Sequence, residues 1–134
     1  MFGGLSREVL NDTVLIDPVR LKWIPTVIRS TDGYNINRRF AHSAVEHKKK
    51  LVVFGGEYEY SKVTEQHVCL NDVSIFTPET MEWKYFKTYG IIETRRYHVA
   101  AMIGKHMIVH GGLNSFSHVL SDFWALNMDT GEWN

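Results

Sequence analysis

The residues whose type and spacing could do chemistry here are paired glycines, histidines, one cysteine and a set of evenly placed aspartates. Gly-Gly occurs at Gly3-Gly4 (FGG), Gly55-Gly56 (VVFGGEYEY) and Gly111-Gly112 (IVHGGLNSF). Glycines cradle a phosphate when their amides open a helix, usually with a lysine and a hydroxyl close behind. Neither GxxxxGK[ST] nor GxGxxG is present, and strand-like segments follow the pairs. Their expected role is structural, because only glycine tolerates the backbone angles or close packing at such a strand end. The seven histidines do not gather into a zinc set. His47, His106 and His110 fall on hairpins or strands, and no CxxC occurs. No metal and no cofactor is expected. Asp12, Asp72 and Asp122 recur at equivalent positions, which spreads them apart and argues against joint catalytic use. No nucleophile–base pair recurs at usable spacing, so the chain does not read as an enzyme.

Fifteen basic and fifteen acidic side chains cancel, leaving no field to attract nucleic acid or an anionic membrane. Lys48-Lys49-Lys50 is too short to alter this and reads as a solvated turn. Aromatic residues make up 13%, four Trp among them, which fits a packed domain. Cys69, the single cysteine, excludes an internal disulfide and fits a reducing, cytoplasmic setting. The opening MFGGLSREVL has no basic segment leading into an apolar one, so it does not read as a signal peptide. The longest aliphatic or aromatic runs, such as LVVF at 51–54, are too short to span a bilayer. The sequon Asn11-Asp12-Thr13 is incidental in that setting.

The elements that must position these residues emerge from internal repetition. LNDTVLIDPVRLKW (10–23), LNDVSIFTPETMEW (70–83) and LSDFWALNMDTGEW (120–133) each carry Leu, a small polar residue and Asp. A largely apolar run, a turn and a Trp follow in each. Asn11, Asn71 and Ser121 all lie 12 residues before that Trp. RFAHSAV (39–45) and RRYHVAA (95–101) place His42 and His98 each 13 residues before a Gly-Gly pair. Spacing is fixed inside these units and variable between them, as expected of strands joined by loops. Each unit reads as four short strands, rich in β-branched and aromatic residues. Strand a carries the His, b ends at Gly-Gly, c follows the Asn-Asp position and d carries the Trp. The fold class is all-β, in four-stranded antiparallel units.

An Arg and a His on the first strand, Gly-Gly after the second and a Trp about a dozen residues past Asn-Asp resemble the kelch repeat. The pattern is present twice in full and once in part. Ser121 in place of Asn, and the 13-residue insertion EYEYSKVTEQHVC (57–69), depart from it. The resemblance implies a partial kelch β-propeller of four-stranded blades. It places a partial blade at about 2–26, with strands c and d and only the end of b, and full blades at about 38–88 and 95–134. Kelch rings usually need more units, so the expectation is a piece of a longer propeller, or self-association or a partner that closes the ring. Some propellers of this superfamily are copper oxidases with a Tyr–Cys cross-link; Cys69, in a variable segment, gives no basis for carrying that over. His42 and His98, a blade apart, are expected to pack on the inner strand. Each Trp is expected to place its large apolar body between sheets, its indole N–H free for a partner.

Antiparallel order puts the b–c and d–a connections at one end and the a–b and c–d turns at the other. The first set is long, at 27–38, 57–69, 88–95 and 113–120, and the second is short. Long connections rich in aromatic, Arg and Asn residues read as recognition surface. The kelch resemblance implies protein partners on loops at one end. The expected contact residues are Tyr34, Arg38, Tyr58, Tyr60, His67, Arg95, Asn114, Phe116 and His118. Arg39 and Arg96, near strand a, read equally as surface or as stacked between blades. The functional expectation is a protein-interaction module or scaffold. The alternatives are a fragment of a kelch-containing enzyme or ubiquitin-ligase adaptor whose activity lies elsewhere, or an inert, mis-assembled fragment.

Overall fold

A computed structural model describes residues 1–30 and 32–134. Its described residues are built from antiparallel strands, and no helix among them is long and apolar enough to cross a membrane. The central unit is a four-stranded meander of β5 (Ser43–His47), β6 (Lys50–Ser61), β7 (Gln66–Thr77) and β8 (Glu82–Phe86). Its outer neighbour pairs β9 (Val99–Ile103), β10 (His106–Leu113) and β11 (Val119–Asn127), and an isolated bridge, Leu126 to Trp133, stands where a fourth strand belongs. On the other side β1 (Phe2–Leu5) pairs with β2 (Val9–Thr13), and β3 (Leu15–Asp17) with β4 (Lys22–Ile24).

The end of strand b is present in the first unit, where Phe2 pairs with Thr13 and the Met1 amine donates to the Val14 carbonyl at 2.9 Å. One expectation changes here. The insertion 57–69 is not a loop. It prolongs β6 and β7 into 12-residue strands joined at 62–65, with Glu57 opposite Cys69 and Tyr60 opposite His67. Alternating β-favouring residues let the extra sequence continue the ladder, at the cost of register shifts on either side of Gly56.

Two apolar interfaces hold the three units together. Phe54, Val52, Val73 and Ile92 meet Met107, Val109, Leu126 and Trp133 between the second and third. Phe2 and Ile36 meet Val53, Phe76 and Trp83 between the first and second. The strand-d Trp of each of the two later units packs backward on the Phe that precedes Gly-Gly in the unit before it. Trp83 lies 4.7 Å from Phe2 and Trp133 lies 5.1 Å from Phe54, centroid to centroid. Trp83 also donates its indole N–H to Thr13 across the interface at 2.9 Å. At about 25 cal/mol per Å², each buried indole contributes up to ~5 kcal/mol before ordering costs. Trp23, the first of the series, is exposed.

The glycine pair is what lets the units approach. Gly55 and Gly56 have φ of +63° and +97°. A Cβ on Gly55 would sit 2.9 Å from the Arg95 carbonyl of the next unit. One on Gly56 would sit 2.7 Å from the His42 Cβ of its own strand a. Both backbone geometry and space therefore exclude a side chain. His98 is buried against Phe54 at 5.0 Å and half-buried His42 packs on Phe2 at 5.6 Å, and His98 Nε2 shares a 2.8 Å hydrogen bond with Ser43 Oγ.

Candidate interaction surface

Each of the two later units carries a buried arginine that joins it to the unit before. Arg39 and Arg95 lie three residues before His42 and His98 and are fully buried. The Arg39 amide donates to the Leu10 carbonyl at 3.0 Å, and its own carbonyl accepts from Gly4 at 2.9 Å. Its guanidinium then forks forward onto Asp72 at 2.7 and 2.9 Å and donates to the Gly55 carbonyl at 3.1 Å. Arg95 repeats this pattern on Leu70 and Gly56 behind it, and on Asp122 (2.7 and 2.7 Å) and Gly111 (3.0 Å) ahead. The Arg95 guanidinium, with help from the Trp124 indole N–H, holds the Asp122 carboxyl down at about 2. Bidentate charge-assisted bonds of this kind fix orientation as well as supplying energy.

A second buried ion pair underlies the end where the long connections gather. Glu57, on β6, accepts from Arg96 at 2.9 Å and pairs with His67 Nδ1 at 2.8 Å. Arg96 also donates to Ser117 at 2.9 Å. Asn114 caps the 113–118 turn: its Oδ1 accepts the amides of Phe116 and His118 at 3.0 Å, and its Nδ2 donates to Glu93 at 2.7 Å. Asn71 donates to the Ile92 carbonyl at 2.8 Å. The β6–β7 hairpin, the 92–96 segment and the 113–118 turn are thus bonded to one another at this end. The short turns meet at the opposite end, where Lys48 and Lys105 lie 3.7 and 3.4 Å from Asp129.

On this base stand the exposed groups. Arg38 lies 4.7 Å over the Tyr58 ring and reaches Glu59 at 3.2 Å. Both charges of that pair are substantially exposed, so it is worth less than about 1 kcal/mol. Tyr60 faces His67 edge-on at 5.0 Å, and Phe116 stacks on His118 at 6.0 Å. A polar cleft of about 440 Å³ opens beside Arg38 and Tyr58, walled by Glu8, Asp12, Asn35 and Asn37.

Of the nine expected contact residues, six are brought to this end with accessible surface: Arg38, Tyr58, Tyr60, His67, Phe116 and His118. Arg95 is a correction. It has no exposed surface, because its guanidinium is spent on Asp122 and Gly111. Asn114 is another, buried by its own capping bonds. Tyr34 is half-buried; its hydroxyl shares a 2.7 Å hydrogen bond with Ser74, and burial raises its ionisation above the usual phenol range. The 27–38 connection includes residue 31, which lies outside the described residues. Cys69 is buried within the extended hairpin, and burial pushes its thiol up, keeping it protonated. His106 and His110 share one face of β10, but four residues of strand separate them by about 13 Å, too far for one metal ion.

The Arg–Asp clasps were not paired from sequence, although a signal existed. Arg39 and Arg95 stand at the same place relative to an anchored His, and residues repeated in register are those a repeated interface uses. The Glu57–Arg96 pair had no such signal, since Arg96 corresponds to Phe40 in the unit before.

Comparison with known proteins agrees with this geometry. Residues 1–134 match the family model described as the KLHDC2/KLHL20/DRC7 Kelch-repeats domain. Similar curated proteins include Rho GTPase-activating protein gacHH of Dictyostelium discoideum, 29% identical over 84% of this chain and 7% of that protein. Acyl-CoA-binding domain-containing protein 4 of Arabidopsis thaliana is 30% identical over 69% of this chain and 13% of that protein. Kelch domain-containing protein 2 of Bos taurus is 26% identical over 92% of this chain and 29% of that protein. The chain thus spans less than a third of the length of each of these relatives.

Proposed function

The chain belongs to the Kelch-repeat family, and from that premise we propose that it is a non-catalytic protein-interaction module. In this reading residues from about 2 to 26 form a partial blade and those at about 38–88 and 95–134 full blades, and the partner is a protein gripped where the b–c hairpins and d–a connections gather. One observation carries the proposal: accessible Arg38, Tyr58, Tyr60, Phe116 and His118 stand on a buried base in which Arg96 bonds Glu57 and Ser117 and Asn114 caps the turn that holds Ser117. Aromatic and Arg side chains on a rigid support are the composition of binding hot spots. The titratable groups beneath them are engaged with one another, which favours a supporting role over a reacting one. Neutral net charge favours a protein over a nucleic acid. The buried, unpaired Cys69 suits a cytoplasmic setting. The names of the relatives describe whole proteins of differing activity, so any enzyme or adaptor role would reside in other parts of such a protein.

The test is quantitative proximity labelling with the chain and three variants: Tyr58→Ala with Arg38→Ala, Phe116→Ala with His118→Ala, and Lys48→Ala with Lys49→Ala. The first two should each lower recovery of the same proteins about tenfold, a change worth ~1.4 kcal/mol. The variant in the short turn should leave recovery unchanged. Equal loss in all three, with folding intact, would overturn the reading.

A further inference from the structure

The residue that follows Gly-Gly is Leu5 in the first unit and Leu113 in the third, but Glu57 in the second. The residue that follows the clasp arginine is Phe40 in the second unit, but Arg96 in the third. These are bridge positions: Phe40 stands opposite Glu57, and Arg96 opposite Leu113. Each place thus accepts an apolar residue in one unit and holds a charge in the other, and the two charges meet across the interface. Glu57 and Arg96 are 2% and 7% exposed and pair at 2.9 Å. Arg96 Nε, buried too, has no hydrogen-bond partner among the described residues. Such a pair is a poor source of stability, because apolar residues of similar volume in its place are often neutral or stabilising.

The pair has reach instead. Glu57 Oε2 accepts from Arg96, and its other oxygen lies 2.8 Å from His67 Nδ1, whose ring faces Tyr60. The second Arg96 nitrogen, Nη2, donates to Ser117 Oγ at 2.9 Å. Ser117 has a left-handed backbone, φ +62°, and stands between Phe116 and His118. One ion pair therefore anchors an aromatic–imidazole couple on the hairpin of the second unit and another on the turn of the third. We propose that Glu57 and Arg96 are positioning residues: they do not touch the partner but hold the two couples in one fixed relation, so that a single partner protein engages both. This rests on the surface proposed above. Its physical gain is preorganisation, since groups already held in place lose less freedom when the partner binds.

The test combines Glu57→Leu with Arg96→Phe, which gives each site the residue of its counterpart in the other unit. The urea midpoint of this double variant should equal or exceed that of the parent chain. Its recovery of the proteins that the parent labels by proximity should nevertheless fall about tenfold. Arg96→Lys keeps a charge for Glu57 but cannot fork to Ser117 as well, so it should stay folded and also lose recovery. A lower midpoint for the double variant would make the pair a structural tie and overturn the proposal. Full recovery by the folded double variant would overturn it as well. If Phe116→Ala with His118→Ala still lowers recovery in that case, positioning alone is refuted. If those contact changes lower nothing, the surface itself is refuted.

Discussion

Replacing Arg95 by alanine separates a structural arginine from a contact arginine. Its guanidinium donates to Glu93 and Gly111 carbonyls at 3.2 and 3.0 Å and to both oxygens of Asp122 at 2.7 Å. Truncation leaves the buried Gly111 carbonyl unsatisfied, at about 1–3 kcal/mol, and opens a cavity where the side chain lay. The Asp122 side chain is 37% exposed, so water takes over part of its solvation and the Coulombic loss is discounted. The sum is about 3 kcal/mol, at the lower end of the range for breaking a buried pair. With a urea m-value of ~1.5 kcal/mol/M, the unfolding midpoint should fall by about 2 M. Arg95→Lys should lose roughly half as much, since it retains charge but not the fork. An independent readout is the Asp122 carboxyl, which NMR titration should find moving from about 2 toward its ordinary value of 3.8. A midpoint loss worth under ~1 kcal/mol, or an Asp122 still near 2, would refute the clasp.

Two further outcomes follow from the same packing. Burial first, then the neighbouring Arg39 or Arg95, lowers His42 and His98 to about 4. The unfolded chain then binds protons at these sites near 6.5 while the folded chain does not. Their contribution is therefore whole above 6.5 and is lost as pH falls from 6.5 to 4, by about 3 kcal/mol for the well-buried His98. Urea midpoints measured across that window should show the slope, and His98→Gln should flatten it; an unaltered slope would count against a neutral buried ring. Gly112→Ala adds a clash at 2.6 Å with the Arg96 carbonyl to its left-handed strain, whereas Gly4→Ala bears the strain alone. Denaturation should find the first costlier by at least ~1 kcal/mol, and equal losses would mean that strand a does not press on the glycine.

The repeat was legible because strand length, turn chemistry and the fixed offsets of His, Gly-Gly, Asp and Trp are written along one stretch of chain. Fold class and the gathering of long connections at one end followed from that order alone. The b–c connection of the second unit was legible only as an insertion. Whether its residues loop out or extend β6 and β7 depends on ladder pairing between Glu57 and Cys69, which spacing does not reveal.

What this chain determines by itself is thus a period: which residues recur, on which strand, and where glycine is required. What only the tertiary structure decided is which of its arginines are exposed. Arg38 and Arg39 are adjacent in sequence, yet one lies over Tyr58 at the surface and the other is fully buried on Asp72. Arg95 and Arg96 are both buried, but on different carboxylates, Asp122 and Glu57. Those partners lie 27 and 39 residues away. Burial is a property of the gap between two packed sheets, and no local pattern carries the distance across it.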